Sequence, residues 1–158
     1  MSKDILLAEL GTGGEMVIEA NDIVLTESLF QMIYLALFGG NIEASTTGNE
    51  LPSELRYDWW GNELLFGEVR EVQFNSETER VLKETVLNTS GRTIIERAVE
   101  YDLQFLNQIA DYSVEVSLET YNRVEIMIKL QRLDNQQEKI YQLVYDNAKD
   151  EVIVNKEL

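Results

Sequence analysis

The stretch Ser113-Val114-Glu115-Val116-Ser117-Leu118-Glu119 and, beyond Tyr121-Asn122, Val124-Glu125-Ile126-Met127-Ile128-Lys129-Leu130-Gln131 decides the fold. Apolar residues recur at every second position through both runs. Only an extended backbone, whose side chains alternate between faces, sorts such a pattern into one dry and one wet side. Two such strands joined at Tyr121-Asn122 read as an antiparallel hairpin. Toward the C-terminus, Asp134-Asn135-Gln136-Gln137 reads as a second turn into a strand over 140–146, and residues 151–155 as a short last strand after 147–150.

Upstream the period changes from two to that of a helix. Ser76 and Glu79 have the spacing of a capping box that opens a helix running to about Asn88, and Thr93 with Glu96 repeats the device after Gly91. The second helix then places Ile94, Ala98, Tyr101, Phe105 and Ile109 on one stripe, widened by Ile95, Val99 and Leu106. An earlier helix over 27–40 is expected from Leu29, Ile33, Ala36 and Leu37, with Thr26 as its cap and Gly39-Gly40 as its stop. Before it, the bursts Ile5-Leu6-Leu7, Met16-Val17-Ile18 and Ile23-Val24-Leu25 predict short strands within 1–26. Residues 41–75, with the sole proline at Pro52, read as a long loop, the kind of segment that carries interactions. The expected fold is α+β: an antiparallel β-meander over 111–158 with the two helices of 76–110 packed on one face and short N-terminal strands, in a single domain spanning 1–158.

Composition narrows the function. The chain has 158 residues, of which 44% are apolar, so it is long enough to bury a core. Lys and Arg number 13 against 29 Asp and Glu, a net charge of −16 that repels phosphate backbones and anionic headgroups. Neither nucleic acid nor membrane is an expected partner. There is no Cys and no His, which removes thiol nucleophiles, imidazole bases and the commonest zinc ligands. The N-terminal stretch contains acids and lacks the apolar core of a secretory signal, so a soluble, cytoplasmically made protein is expected. Gly11-Thr12-Gly13-Gly14 is followed by Glu15 and a strand-like run, not by the lysine and helix of a phosphate loop, and reads as a hairpin turn. The acids of 27–71, among them Glu27, Glu43, Glu50, Glu54, Asp58, Glu63, Glu68 and Glu71, lack calcium-loop spacing, and their number alone guarantees chance pairs. No catalytic, cofactor or metal-binding residue is assigned, and an enzyme is not expected.

Two features suggest interaction. Trp59 and Trp60 bring large apolar faces into a polar loop; they either plug the core or anchor a partner, with Arg56, Tyr57 and Asp58 as rim and Gly61 allowing the backbone to reverse. Asp58, Trp59, Trp60, Gly61 and Asn62 are therefore candidate partner-binding residues. The second feature is the terminal sheet, where residues 123–146 are expected to offer an open edge to a foreign strand. Val124, Ile126, Ile128, Lys129, Arg132, Tyr141 and Tyr145 are its candidates, with Lys129 and Arg132 also readable as ordinary edge protection.

These residues resemble a known family. The order of strands and helix, then Asp58-Trp59-Trp60-Gly61-Asn62, then Thr93-Ile94-Ile95-Glu96-Arg97-Ala98-Val99-Glu100-Tyr101-Asp102-Leu103 before a Val-Glu-Val-Ser-Leu hairpin, resembles the Mu-like phage baseplate proteins with a Trp-Trp-Gly-Asp motif. It is similar, more remotely, to the tail lysozyme-like baseplate wedge family of contractile phages, which initiates the sheath. The similarity spans roughly residues 20–135. Asn62 stands where the Mu-like motif has Asp, and the Glu-Pro-Arg signature of the remoter family is absent. The resemblance implies a structural component of the tail baseplate, present in six copies around the tail axis and assembled in the bacterial cytoplasm. The partners it implies are wedge proteins and the sheath protein, with hub or tube proteins as further candidates. The alternative from charge alone is a small acidic immunity-type or inhibitor protein that binds a basic partner.

Overall fold

The computed structural model describes residues 3–8, 15–40, 61–67, 69, 72–134 and 136–158. The chain forms two compact units, Met1–Arg80 and Val81–Leu158, the boundary falling inside one helix. The architecture is α+β.

In the second unit, the alternating stretch forms β7 (Ala110–Thr120) and β8 (Arg123–Arg132), followed by β9 (Glu138–Asp146) and β10 (Glu151–Glu157), in the sheet order β10-β9-β8-β7 with every neighbour antiparallel. Six short strands, β1 to β6, precede these in the first unit. Pairing sets Val116 opposite Ile126, Ile126 opposite Leu143, and Ile128 between Val114 and Tyr141, so one face carries a continuous apolar layer. Helix α4 (Thr89–Asp102) lies against β7 and supplies Ile95, Ala98 and Val99 to this core; a 3-10 turn (Gln104–Gln108) adds Leu106.

Two expectations for this helix are corrected. Its cap is Asn88, whose side chain accepts the Gly91 N–H at 2.9 Å, while Thr93 lies inside the helix and Glu96 pairs with Arg92 at 2.9 Å. Gly91 lies in the first turn, where a Cβ would meet the Val86 carbonyl oxygen at 2.1 Å, so glycine alone fits there. The buried stripe is also rotated. Ile94, Tyr101 and Ile109 are exposed, because the core face runs through Ile95, Ala98 and Val99 and the helical phase ends at Leu103.

In the first unit, α1 (Ser28–Phe38) buries Leu29, Phe30, Ile33, Tyr34, Leu37 and Phe38. It starts after Glu27, with no side-chain cap, because Thr26 is held in a strand opposite Asp4. The strand bursts form three segments: β1 (Lys3–Ile5) with β2 (Leu7–Ala8), β3 (Glu15–Met16) with β4 (Ile18–Glu19), and β5 (Asp22–Ile23) with β6 (Leu25–Glu27). Each segment pairs with both others, β1 with β6, β2 with β3 and β4 with β5. At the centre the Leu6 N–H donates to Val24 O (2.9 Å), the Val24 N–H to Val17 O (2.9 Å) and the Val17 N–H to Leu6 O (3.0 Å), closing a ring of backbone bonds. The β4–β5 turn holds Ala20 and Asn21 at φ of 50° and 64°, the two left-handed residues that a tight hairpin of this kind requires. The segment expected as loop contains a helix, α2 (Gly61–Phe66); α3 (Glu77–Glu84) follows Ser76, whose hydroxyl accepts the Glu79 N–H, and stops at Glu84, short of the expected Asn88. The Gly11–Gly14 turn and Pro52 lie outside the described residues.

Candidate functional site

The sheet edge is not where the sequence placed it. Strands β8 and β9 are interior, and Val124, Ile126, Ile128, Tyr141 and Tyr145 are buried, so these five are core residues and not a partner-facing rim. The cause is β10. Expected as a short addition, it spans seven residues and covers the outer side of β9. Lys129 is exposed on the sheet face opposite the core, and Arg132 folds back on Asp134 through two bonds of 2.9 and 2.6 Å. The outer strands are β7 and β10. Along β10 the Leu158 N–H is bonded to Ile140 O at 2.8 Å. The two-residue period of an antiparallel ladder then turns the Asn155 and Glu157 N–H groups to the open side. A bulge between Val152 and Val154 twists the start of this edge.

The Trp-Trp-Gly step divides at the limit of the described residues, which exclude Arg56, Tyr57, Asp58, Trp59 and Trp60. The two candidates that are described, Gly61 and Asn62, are buried. Gly61 begins α2 instead of reversing the backbone. The Asn62 amide donates to Gly39 O at 3.2 Å and to Phe74 O at 3.0 Å, and its oxygen accepts the Phe74 N–H at 2.8 Å. These bonds need both a donor and an acceptor on one short side chain, which an amide has and a carboxylate lacks. That is the physical meaning of Asn at this place.

Asn62 belongs to a polar clasp around the C-terminal end of α1. The Ser76 hydroxyl donates to Leu37 O and accepts the Glu79 N–H at 3.1 Å, the Ser76 N–H donates to Gly40 O at 2.6 Å, and the Glu79 carboxylate accepts the Gly40 N–H at 3.0 Å. One α1 carbonyl near the helix end, Leu37 O, and the two just beyond it, Gly39 O and Gly40 O, are thereby given partners from Asn62 and Ser76. Gly39 fits because a Cβ there would lie 2.3 Å from Leu35 O and 2.8 Å from the Phe74 Cβ. Sequence reading found the Ser76–Glu79 half of this clasp; its link to Gly39-Gly40 carries no local signal. Beside the clasp, Leu64, Leu65, Val69 and Val72 are exposed.

In the second unit Asp146 joins two turns. Its carboxylate accepts from Asn122 (3.1 Å), Arg123 (3.1 Å) and the Ala148 N–H (3.0 Å). Burial pushes its pKa up, but the Arg123 bond and charge and the Ala148 and Lys149 N–H groups outweigh this and hold it below the ordinary 3.8. Tyr112 donates to Glu100 O at 3.2 Å, and partial burial, with the Glu100 charge, raises its pKa above 10.0. These are tying contacts, not a pair of groups poised for proton transfer. Among the described residues no group of three or more acidic side chains is arranged to hold a metal, and no helix is long and apolar enough to cross a membrane.

Compared with known protein families, curated proteins and solved structures, the chain finds no match.

Proposed function

We propose that the protein is a structural component of a contractile phage tail baseplate wedge that initiates or anchors the sheath by strand pairing. The observation that carries this reading is the outer side of β10, with the Asn155 and Glu157 N–H groups directed away from β9. An extended arm laid on such an edge gains main-chain hydrogen bonds along its length, affinity that needs no catalytic residue. The order of elements around the Trp-Trp-Gly step, like that of the Mu-like baseplate proteins, supplies the biological setting: wedge and sheath proteins as partners, and six copies around the tail axis. The cation-poor surface fits assembly with proteins better than contact with the packaged nucleic acid.

The test is co-expression with candidate wedge and sheath proteins, followed by native mass measurement. The parent chain should form a complex containing the sheath subunit. Glu157→Pro, which removes an outward donor, should lower its yield at least tenfold. Glu157→Ala, which removes only the carboxylate that pairs with Lys139 at 3.0 Å, should leave it nearly unchanged. Equal yields from Glu157→Pro and the parent overturn the strand-pairing reading. Salt-sensitive binding to a lone basic protein, with no wedge or sheath complex, favours an acidic inhibitor instead.

A further inference from the structure

The C-terminal sheet has two outer strands, and their open sides differ. On β7 the hydrogen bonds fix which backbone groups face out. The Leu133 N–H donates to Ile109 O at 3.1 Å, just before the strand begins, so the odd-numbered residues of β7 exchange bonds with β8 and the even-numbered ones, Tyr112 to Leu118, turn theirs to the open side. Val116 O agrees with this phase: it accepts the Arg92 Nη1–H at 3.2 Å, a donor supplied by α4 and not by β8. The same nitrogen is held by Glu96 Oε2 at 2.9 Å, one turn further along the helix. One turn beyond that, the Glu100 carbonyl accepts the Tyr112 hydroxyl at 3.2 Å. Arg92, Glu96 and Glu100 form one stripe of α4, four residues apart, tied to β7 at both ends. Val116, at the guarded carbonyl, is 2% exposed, whereas Glu157, whose N–H faces out from β10, is exposed.

An edge carbonyl already bonded to a guanidinium is lost to an incoming strand, which needs the whole row of outward acceptors and donors. The consequence concerns other copies of the chain. If β7 were open, the β10 edge of one copy could pair with β7 of the next, head to tail, and contacts of that kind propagate into rings or filaments. We propose that Arg92 closes the β7 edge to the β10 strand of other copies, so that each β10 is left for a foreign arm. That last clause rests on the strand-pairing reading above; the closure of β7 does not, and the chain alone tests it.

The experiment is sedimentation velocity of the full chain over about a hundredfold range of concentration, in salt that screens its net charge of −16. The parent should keep one mass throughout. Arg92→Ala frees Val116 O and should raise the mean mass at least threefold at the highest concentration, even though it makes the net charge more negative. Arg92→Met keeps the length of the side chain and loses only its donors; it should associate in the same way, and it replaces the alanine variant if that one fails to fold. Arg97→Ala removes an equal charge from an exposed position on α4 and should sediment as the parent does. Adding Glu157→Pro to either Arg92 variant takes away an outward donor of β10 and should restore the parent mass, a rescue that association through misfolding would not show. The proposal is overturned if the folded Arg92 variants sediment as the parent does, if Arg97→Ala associates equally, or if Glu157→Pro fails to restore the mass. It is also overturned if the parent itself grows with concentration and Glu157→Pro stops the growth. Failure of the baseplate reading would show instead as a parent chain that forms no sheath complex, which this experiment does not measure.

Discussion

Asn62→Asp changes one atom type at a buried position and tests the clasp directly. The parent amide donates to Gly39 O and Phe74 O and accepts from the Phe74 N–H, with no side-chain exposure. A carboxylate retains the acceptor role and loses both donors. Leaving a buried carbonyl without its partner costs about 1–3 kcal/mol, so the two together cost about 2–6 kcal/mol. That is a large part of the roughly 5–15 kcal/mol that holds a domain folded. The substitution also sets a negative charge against two carbonyl oxygens, which raises the pKa of the new carboxyl in the folded state. The protonated acid recovers one donor. The sign of the pH dependence follows: the deficit relative to the parent is smallest below the unfolded-state value of about 3.9 and grows as pH rises toward the elevated folded value. Urea denaturation followed by circular dichroism at several pH values between 4 and 8 measures it. A variant within about 0.5 kcal/mol of the parent at pH 7, the range of an ordinary surface change, refutes the clasp. So does a deficit that is the same at every pH.

Gly39→Ala should destabilise the chain by about 1–3 kcal/mol, because its methyl group has no room beside Leu35 O and Phe74; the fall in thermal midpoint measures this. Asn88→Ala should cost about 1 kcal/mol as the loss of a true helix cap. Thr93→Ala should stay within about 0.5 kcal/mol, and the two denaturation curves compared settle which residue opens α4. Asp146→Asn should destabilise at pH 7. Because its folded pKa is lowered, the Asp146 contribution is complete above the unfolded value of about 3.9 and is lost as pH falls through the folded one, so parent and variant should converge in acid. Curves at pH 7 and pH 3 check the convergence.

The C-terminal sheet was legible because its signal is local: alternation from Val114 to Leu118 and from Val124 to Leu130 needs no distant partner to be read. The Ser76–Glu79 box was legible for the same reason. What the sequence concealed was set by tertiary contacts. Thr26 is a good cap that a strand pairing removed, and the Thr93–Glu96 spacing of a capping box falls inside a helix that Asn88 already opens. Residues 123–146 do not form an edge because β8 is flanked by β7 and β9, and because β10, beyond the turn at 147–150, is long enough to cover β9. Asn62 stands out in the sequence only through its neighbours, the two tryptophans, whereas its own bonds reach back to Gly39 and forward to Phe74.

The clasp also has a kinetic consequence. Its bonds from Ser76 to Leu37 and from Glu79 to Gly40 each close 39 residues of chain, whereas the C-terminal strands join only their immediate neighbours in sequence. Short closures lose less chain entropy and form sooner. During translation α1 is therefore made early but stays unlocked until residues 76–79 have followed it. The half synthesised first is the half fastened late.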